Sequence, residues 1–400
     1  MAPAPIDLGP LGLIFAGVLG ALIGSFSNVV IYRLPRRESI AFPGSHCPRC
    51  NHELSPLELI PILSWLVQRG RCRSCRSPIS IRYPIVEGLM ALGFVLIWWN
   101  WPPHEAGLAF VPLAALFAVL LILAAIDLDT FTLPDVLTLP ALAVALLAPL
   151  LFPAGTGLPT VANAVAGAGI GAGVLVIINR VGALILRRFR DTGERLWPIG
   201  FDQVNVAALA GALAGWQTGA LCALLSLVVN LLARRPVRLP EPLVLPLWFG
   251  ALLLAAAGLT VSPLVAVGGS LAAAGTAAIA GAIYWWFAEL TGRVGPEASP
   301  SDATGKVEAP ALAGDEDDEP VAMGFGDVKL AAVMGAMLGW EKLLLAVFLS
   351  FIVGAIGGVT GRLLGGDRVV PFGPYLVVGA FVALFQGDAI IGWYLGLLAI

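Results

Sequence analysis

The sequence predicts an all-α polytopic membrane protein of about 11–15 transmembrane helices with a small zinc-binding domain on its cytoplasmic side. Three observations predict it. Hydrophobic residues make up 58% of the 400 and charged residues 12%, against roughly 45–50% and about 25% in soluble domains. Apolar runs of helix length recur along the chain. The arginines and lysines gather on alternate connections between those runs. Mean hydropathy is +0.90. That hydropathy points to membrane lipid as the surroundings, and a net charge of −3 excludes a basic nucleic-acid binder.

A spanning helix needs about 20 mostly apolar residues. The first run, Leu11–Tyr32, ends in Arg33, Arg36 and Arg37. No small-residue cleavage site follows, so it reads as a span and not a cleaved signal peptide, with its N-terminus outside. Twelve further runs follow at 86–100, 107–126, 136–153, 160–186, 204–216, 218–233, 242–258, 264–290, 328–340, 343–361, 370–386 and 389–400. The shorter ones suit half-helices or tilted segments. Nine of the 23 Lys and Arg fall from Arg33 to Arg82, and others cluster at Arg187–Arg195, Arg234–Arg238 and Arg362–Arg368. Alternating spans put every cluster in the cytoplasm, as the positive-inside rule requires. Arg180, inside a run, is expected to snorkel toward the cytoplasmic surface. The segment read as a loop at FQGD (385–388) carries no cation.

The expected organisation is a first helix (1–32), a cytoplasmic tetracysteine domain (33–85) and helices bearing a first aspartate (86–156). A repeat unit (157–260), one helix (261–291), an acidic flexible linker (292–323) and C-terminal helices (324–400) follow. The linker ends in Asp315-Glu316-Asp317-Asp318-Glu319 and has the composition of a disordered tether.

Four of five cysteines lie in the cytoplasmic segment, as Cys47-Pro-Arg-Cys50 and Cys72-Arg-Ser-Cys75. Two C-x2-C knuckles can place four thiolates at the corners of a tetrahedron, the arrangement of a structural zinc site. A segment this short has little core, so a metal would replace one. A cytoplasmic position argues against disulfides. His46 and His52 flank the first knuckle without being required as ligands.

Carboxylates at the ends of membrane segments are costly and mark function. Asp127 ends the run Ala124-Ala125-Ile126, and Asp327 opens another after Gly324-Phe325-Gly326. Two facing carboxylates share a proton: the ionised one activates water and the other hydrogen-bonds the developing oxyanion. Gly324 and Gly326 lack Cβ atoms and would admit an extended substrate backbone. The competing reading is a pair of helix caps, or acids serving a transporter.

At these residues the sequence resembles the type IV prepilin peptidases. The resemblance rests on Gly24-Ser25-Phe26-Ser27-Asn28 through Pro35, the cysteine pairs and Arg82-Tyr83-Pro84-Ile85-Val86-Glu87. Asp127 to Pro140, Gly324-Phe325-Gly326-Asp327-Val328-Lys329 and Val370-Pro371-Phe372-Gly373-Pro374 complete it. It implies a GxGD aspartyl protease of the bacterial inner membrane. Such an enzyme cuts the leaders of prepilins and pseudopilins at the cytoplasmic face, and members with the cysteine loop also methylate the new amine with S-adenosylmethionine. It implies Asp127 and Asp327 as the catalytic pair, with Asp129, Asp135 and Lys329 supporting.

One departure stands out. Gly200-Phe201-Asp202-Gln203 through Trp216 aligns without gaps on Gly324 through Trp340, with nine of 17 pairs identical. Pro159 onward resembles Pro263 onward, and Leu239-Pro240-Glu241-Pro242 echoes Val370-Pro371-Phe372-Gly373. A tandem duplication is expected, with Gln203 where Asp327 stands; glutamine cannot ionise and Asp202 is shifted by one residue, about 100° around a helix, so that the upstream copy cannot complete a dyad. The alternatives are that the whole chain is a catalytically inactive homologue or a carboxylate-dependent transporter.

Overall fold

The computed structural model describes residues 9–152, 156–185, 198–234, 241–293, 324–363 and 371–397. Nearly all of the acidic linker and the arginines at 187–195 lie outside the described residues. The described residues form α-helices and no strands, apart from two isolated bridges, His46 with Glu53 and Arg71 with Pro78. The helices are α1 (Gly9–Arg33), α2 (Leu63–Val67), α3 (Arg82–Asn100), α4 (Pro103–Ala106), α5 (Phe110–Thr130), α6 (Asp135–Leu151) and α7 (Val161–Ile185). They continue as α8 (Phe201–Ala214), α9 (Trp216–Ala233), α10 (Glu241–Ala256), α11 (Pro263–Leu290), α12 (Phe325–Leu338), α13 (Trp340–Leu363) and α14 (Gly373–Leu397).

Eight helical segments among the described residues are long and apolar enough to cross a membrane, so the chain is a multi-pass membrane protein. The expected count of 11–15 is reached only if shorter apolar helices such as α6, α8 and α10 are added. One loop expectation fails outright. Phe385-Gln386-Gly387-Asp388 is not a connection: α14 runs through it. Gly in a helix costs only about 1 kcal/mol. The buried row Leu376, Ala380, Ala383, Leu384 and Gly387 keeps the helix docked.

The residues fall into two units, Met1–Val161 with Leu345–Ile400, and Ala162–Leu344. In the first, α1 lies against α3 along a seam of small residues. A Cβ on Gly20 would come within 2.7 Å of the Met90 carbonyl, and one on Gly24 within 2.7 Å of the Glu87 Cα. Close approach of this kind is how membrane helices gain packing where lipid offers no hydrophobic drive. The polar residues of α1 serve the same seam. Asn28 Nδ2 donates to the Tyr83 carbonyl at 3.3 Å, and Ser25 hydrogen-bonds the Glu87 carboxylate. α5 is the hub of this unit, packing on α1, α3, α6 and α14. Phe117 of α5 stacks on Phe381 of α14 with centroids 4.1 Å apart.

The second unit is built by exchange. α11 packs on α8 and α9, while α7 packs on α12 through Gly167 with Gly335 and Gly171 with Ala331. The contacts repeat with fixed offsets. Gly211 meets Gly269 as Gly335 meets Gly167, and Gly275 meets Gly169 as Leu271 meets Gly173. Gly215 meets Val265 as Gly339 meets Asn163. α8–α9 therefore correspond to α12–α13 at an offset of 124, the register read from the sequence. α7 corresponds to α11 at 102, two residues less than the Pro159–Pro263 pairing. Runs of glycine and alanine look alike at several registers; backbone-to-backbone contacts admit one. Arg180 does not snorkel. It is 6% exposed, with its guanidinium 3.2 Å above the ring centroid of Phe201, a cation–π contact inside the unit.

Candidate active site and metal centre

The cytoplasmic segment closes around its cysteines. Each knuckle is a tight turn: Cys47 N–H donates to the His52 carbonyl and Asn51 N–H to the Cys47 carbonyl, both at 2.9 Å. The same bonds recur 25 residues later, from Cys72 N–H to Ser77 and from Arg76 N–H to Cys72. Asn51 and Arg76 both take positive φ, 54° and 59°, so the two turns share one geometry. The four sulfurs lie within 4.8 Å of one another. Cys47 and Cys75 are 3.8 Å apart and Cys50 and Cys72 are 4.0 Å apart. A tetrahedron with about 2.3 Å zinc–sulfur bonds needs sulfurs about 3.8 Å apart, so the set can hold a metal ion and its spacing suits zinc. Backbone N–H groups of Arg49 and Cys50 draw the Cys47 thiol down to about 6. The His52 N–H also lowers Cys50, yet burial and its three sulfur neighbours push it up to about 11. A cation would remove that conflict by accepting all four as thiolates. His52 sits apart, its Nε2 3.4 Å from Glu58 Oε2.

Asp127 is buried in the last turn of α5. The Gly373 N–H, at the start of α14, donates to its Oδ2 at 3.0 Å. A Cβ on Gly373 would stand 2.5 Å from that oxygen, so no other residue fits there without moving the carboxylate. An unpaired N–H at a helix start is a natural partner for a carboxylate. Nothing local in the sequence links residues 246 apart, and the Pro371-Phe372-Gly373-Pro374 motif carried no role until this contact. Arg82 had none either. It pairs with Asp129 and donates from Nη2 to the Ala125 carbonyl at 3.0 Å, which closes the end of α5. Asp135 opens α6, where a carboxylate favours the helix dipole.

Asp327 lies in the second unit, buried in the first turn of α12, its N–H bonded to the Gly324 carbonyl at 3.2 Å. Gly324 is exposed, and a Cβ there would meet nothing nearer than 3.9 Å. Gly326 is partly exposed, and Lys329 Nζ lies 5.8 Å from the Phe325 ring centroid. The corresponding turn of α8 is built differently. Gln203 is 1% exposed, with Oε1 accepting from the Gly200 N–H at 2.7 Å and Nε2 donating to Ser226 Oγ at 3.2 Å. Asn230 donates to the Pro198 carbonyl and Trp285 to the Ile199 carbonyl.

Fold and site together define a multi-pass helical membrane protein with buried aspartates at helix ends and a four-thiol centre. Two family models match it. The bacterial peptidase A24 N-terminal domain matches residues 18–101. The type IV leader peptidase family matches twice, at 114–233 and 235–359. The chain belongs to the type IV leader peptidase family. Three relatives are each named a prepilin leader peptidase/N-methyltransferase. The protein of Aeromonas salmonicida (strain A449) is 30% identical over 94% of this chain and 90% of its own. That of Pseudomonas putida is 32% identical over 94% and 91%. That of Myxococcus xanthus is 40% identical over 53% and 59%. No solved structure matches. The family speaks against the transporter reading.

The double match accords with a repeat inside the chain. Residues of α6 also find counterparts in α10. Leu133-Pro134-Asp135 and Pro140 then fall on Leu239-Pro240-Glu241 and Pro246 at an offset of 106. Both helices carry that proline inside. This match is longer than the echo of Val370-Pro371, which shares one proline.

Proposed function

We propose that this chain is a membrane aspartyl peptidase of the bacterial inner membrane that removes the leader of prepilins and pseudopilins at the cytoplasmic face. It then methylates the exposed amine. The observation that carries the reading is the retention, in a chain of this family, of two buried aspartates at helix ends: Asp127 closing α5 and Asp327 opening α12. One carboxylate takes a proton from water, and the resulting hydroxide attacks the scissile carbonyl. The other hydrogen-bonds the oxyanion and passes its proton to the leaving amine. Gly324 and Gly326 leave room for the substrate backbone beside Asp327. Zinc, held by Cys47, Cys50, Cys72 and Cys75, fixes the cytoplasmic domain. S-adenosylmethionine supplies the methyl group.

The upstream copy takes no part in hydrolysis. Gln203 stands where Asp327 does and cannot ionise, so the inserted copy cannot supply that acid. The test is cleavage of a prepilin-like substrate in membranes by Asp127→Asn and Asp327→Asn. Each should lose about 10²–10⁴-fold in rate. Undiminished cleavage in both ends the two-aspartate mechanism.

A further inference from the structure

α1 and α3 are long, apolar spans whose ends on the side of the cysteine domain are marked by Arg33 and Arg82. Glu87 lies about 7–8 Å along α3 from Arg82, and Ser25 lies about 12 Å along α1 from Arg33, at 1.5 Å of rise per residue. The Glu87 carboxylate binds the Ser25 side chain and accepts the Ile62 N–H on Oε2 at 2.7 Å. Ile62 takes a positive φ of 61°, which β-branched residues rarely adopt, and this bond holds the chain at that depth. A headgroup layer is only about 5–8 Å thick. Ile62, between the two cysteine knuckles in sequence, therefore sits at the boundary between headgroups and acyl chains.

α2 leaves that point with its apolar side uncovered. Leu63, Leu66 and Val67 fall at i, i+3 and i+4, on one face of a helix, and are 61%, 56% and 82% exposed. Trp65 turns the other way. Its Nε1 donates to the Ile79 carbonyl at 3.2 Å, and its ring lies 2.8 Å from where a Cβ on Gly70 would stand. These contacts fasten α2 to the turn that carries Cys72 and Cys75. Beyond α2 come Arg69, Arg71, Arg73 and Arg76, all exposed, with no acid between Glu58 and Glu87.

An uncovered apolar face at acyl depth, followed by cations, is the pattern of a helix lying in a membrane interface. We propose that residues 60–67 are such an anchor and that its partner is the bilayer itself. Leu63, Leu66 and Val67 sink among the acyl chains, and the arginines that follow rest on lipid phosphates. The anchor holds the four-cysteine domain against the membrane beside α3. The inference stands apart from the peptidase reading, since it involves neither aspartate.

The test uses the full wild-type chain, one per lipid nanodisc, with a lipid bearing a carbene-generating group on its acyl chain. After illumination, adducts mapped by mass spectrometry should appear on residues 60–67 within about threefold of those on the Leu11–Val18 stretch of α1. The peptide holding Cys47 and Cys50 should stay at background. Background adduct levels on 60–67 would overturn the anchor. Leu63→Asp with Val67→Asp should cut those adducts at least about tenfold, with bound metal and α1 adducts at wild-type levels. An equal yield in this variant would contradict the role given to these side chains. In the wild type, trypsin should cut after Arg71 and Arg73 at least about fivefold more slowly in nanodiscs than in a phosphate-free detergent. Equal rates would remove the arginine–phosphate contacts.

Discussion

The turns that open α8 and α12 begin from the same Gly-Phe pair and end in opposite conditions. At α8 the turn is bolted down. Gln203 bonds both to Gly200 and to Ser226, Asn230 holds the Pro198 carbonyl, and Trp285 holds the Ile199 carbonyl. At α12 the Asp327 carboxylate still accepts from the Gly324 N–H, but the Asn230 tie has no counterpart. Asp327 stands for Gln203 and Gly354 for Asn230, and the space beside Gly324 is open. Ser350, which corresponds to Ser226, spends its hydroxyl on the Ala346 carbonyl of its own helix. A buried amide that satisfies its neighbours stabilises; a buried acid beside an open turn is available for chemistry. On the proposed function the two copies separate packing from catalysis, and each can be tested against the other.

The largest expected effect after loss of either aspartate comes from Gly373→Ala. The added Cβ would displace the Asp127 carboxylate, and a shift of about 1 Å can cost roughly 10²-fold in rate. Leader cleavage should fall by about that factor while methylation of a pre-cleaved peptide persists. Next comes Cys47→Ser with Cys72→Ser. Bound metal, measured by elemental analysis, should be lost; unchanged metal content would remove the tetrathiolate centre. The smallest effect belongs to the upstream copy. Gln203→Ala leaves the Gly200 N–H and Ser226 without their partner, at about 1 kcal/mol. The unfolding temperature should drop slightly while cleavage stays within about twofold. Loss of cleavage there would give α8 a catalytic share and erase the contrast.

Much of this was legible from residues alone. Composition announced the membrane, and the spacing of Cys47, Cys50, Cys72 and Cys75 announced a centre whose sulfurs do gather. The placing of Asp127 and Asp327 at helix ends followed from where apolar runs stop and start. What stayed hidden depends on partners far along the chain. The Gly373–Asp127 bond joins residues 246 apart, and Arg82 reaches 47 residues to Asp129. Phe385-Gln386-Gly387-Asp388 looked like a break because its composition is that of a turn, yet α14 continues. The α7–α11 register depends on which glycines touch, and small-residue composition alone does not encode it. Arg180 looked like a surface-seeking cation because Phe201, which receives it, lies on another helix.

The central claim is that only the α12 copy is catalytic, with α8 its structural counterpart. The most direct measurement moves the acid from one to the other: leader cleavage in membranes by the double variant Asp327→Asn with Gln203→Asp. No cleavage is expected, because the α8 turn stays tied by Asn230 and Trp285. Cleavage restored to near the wild-type rate would contradict it and make the two copies interchangeable.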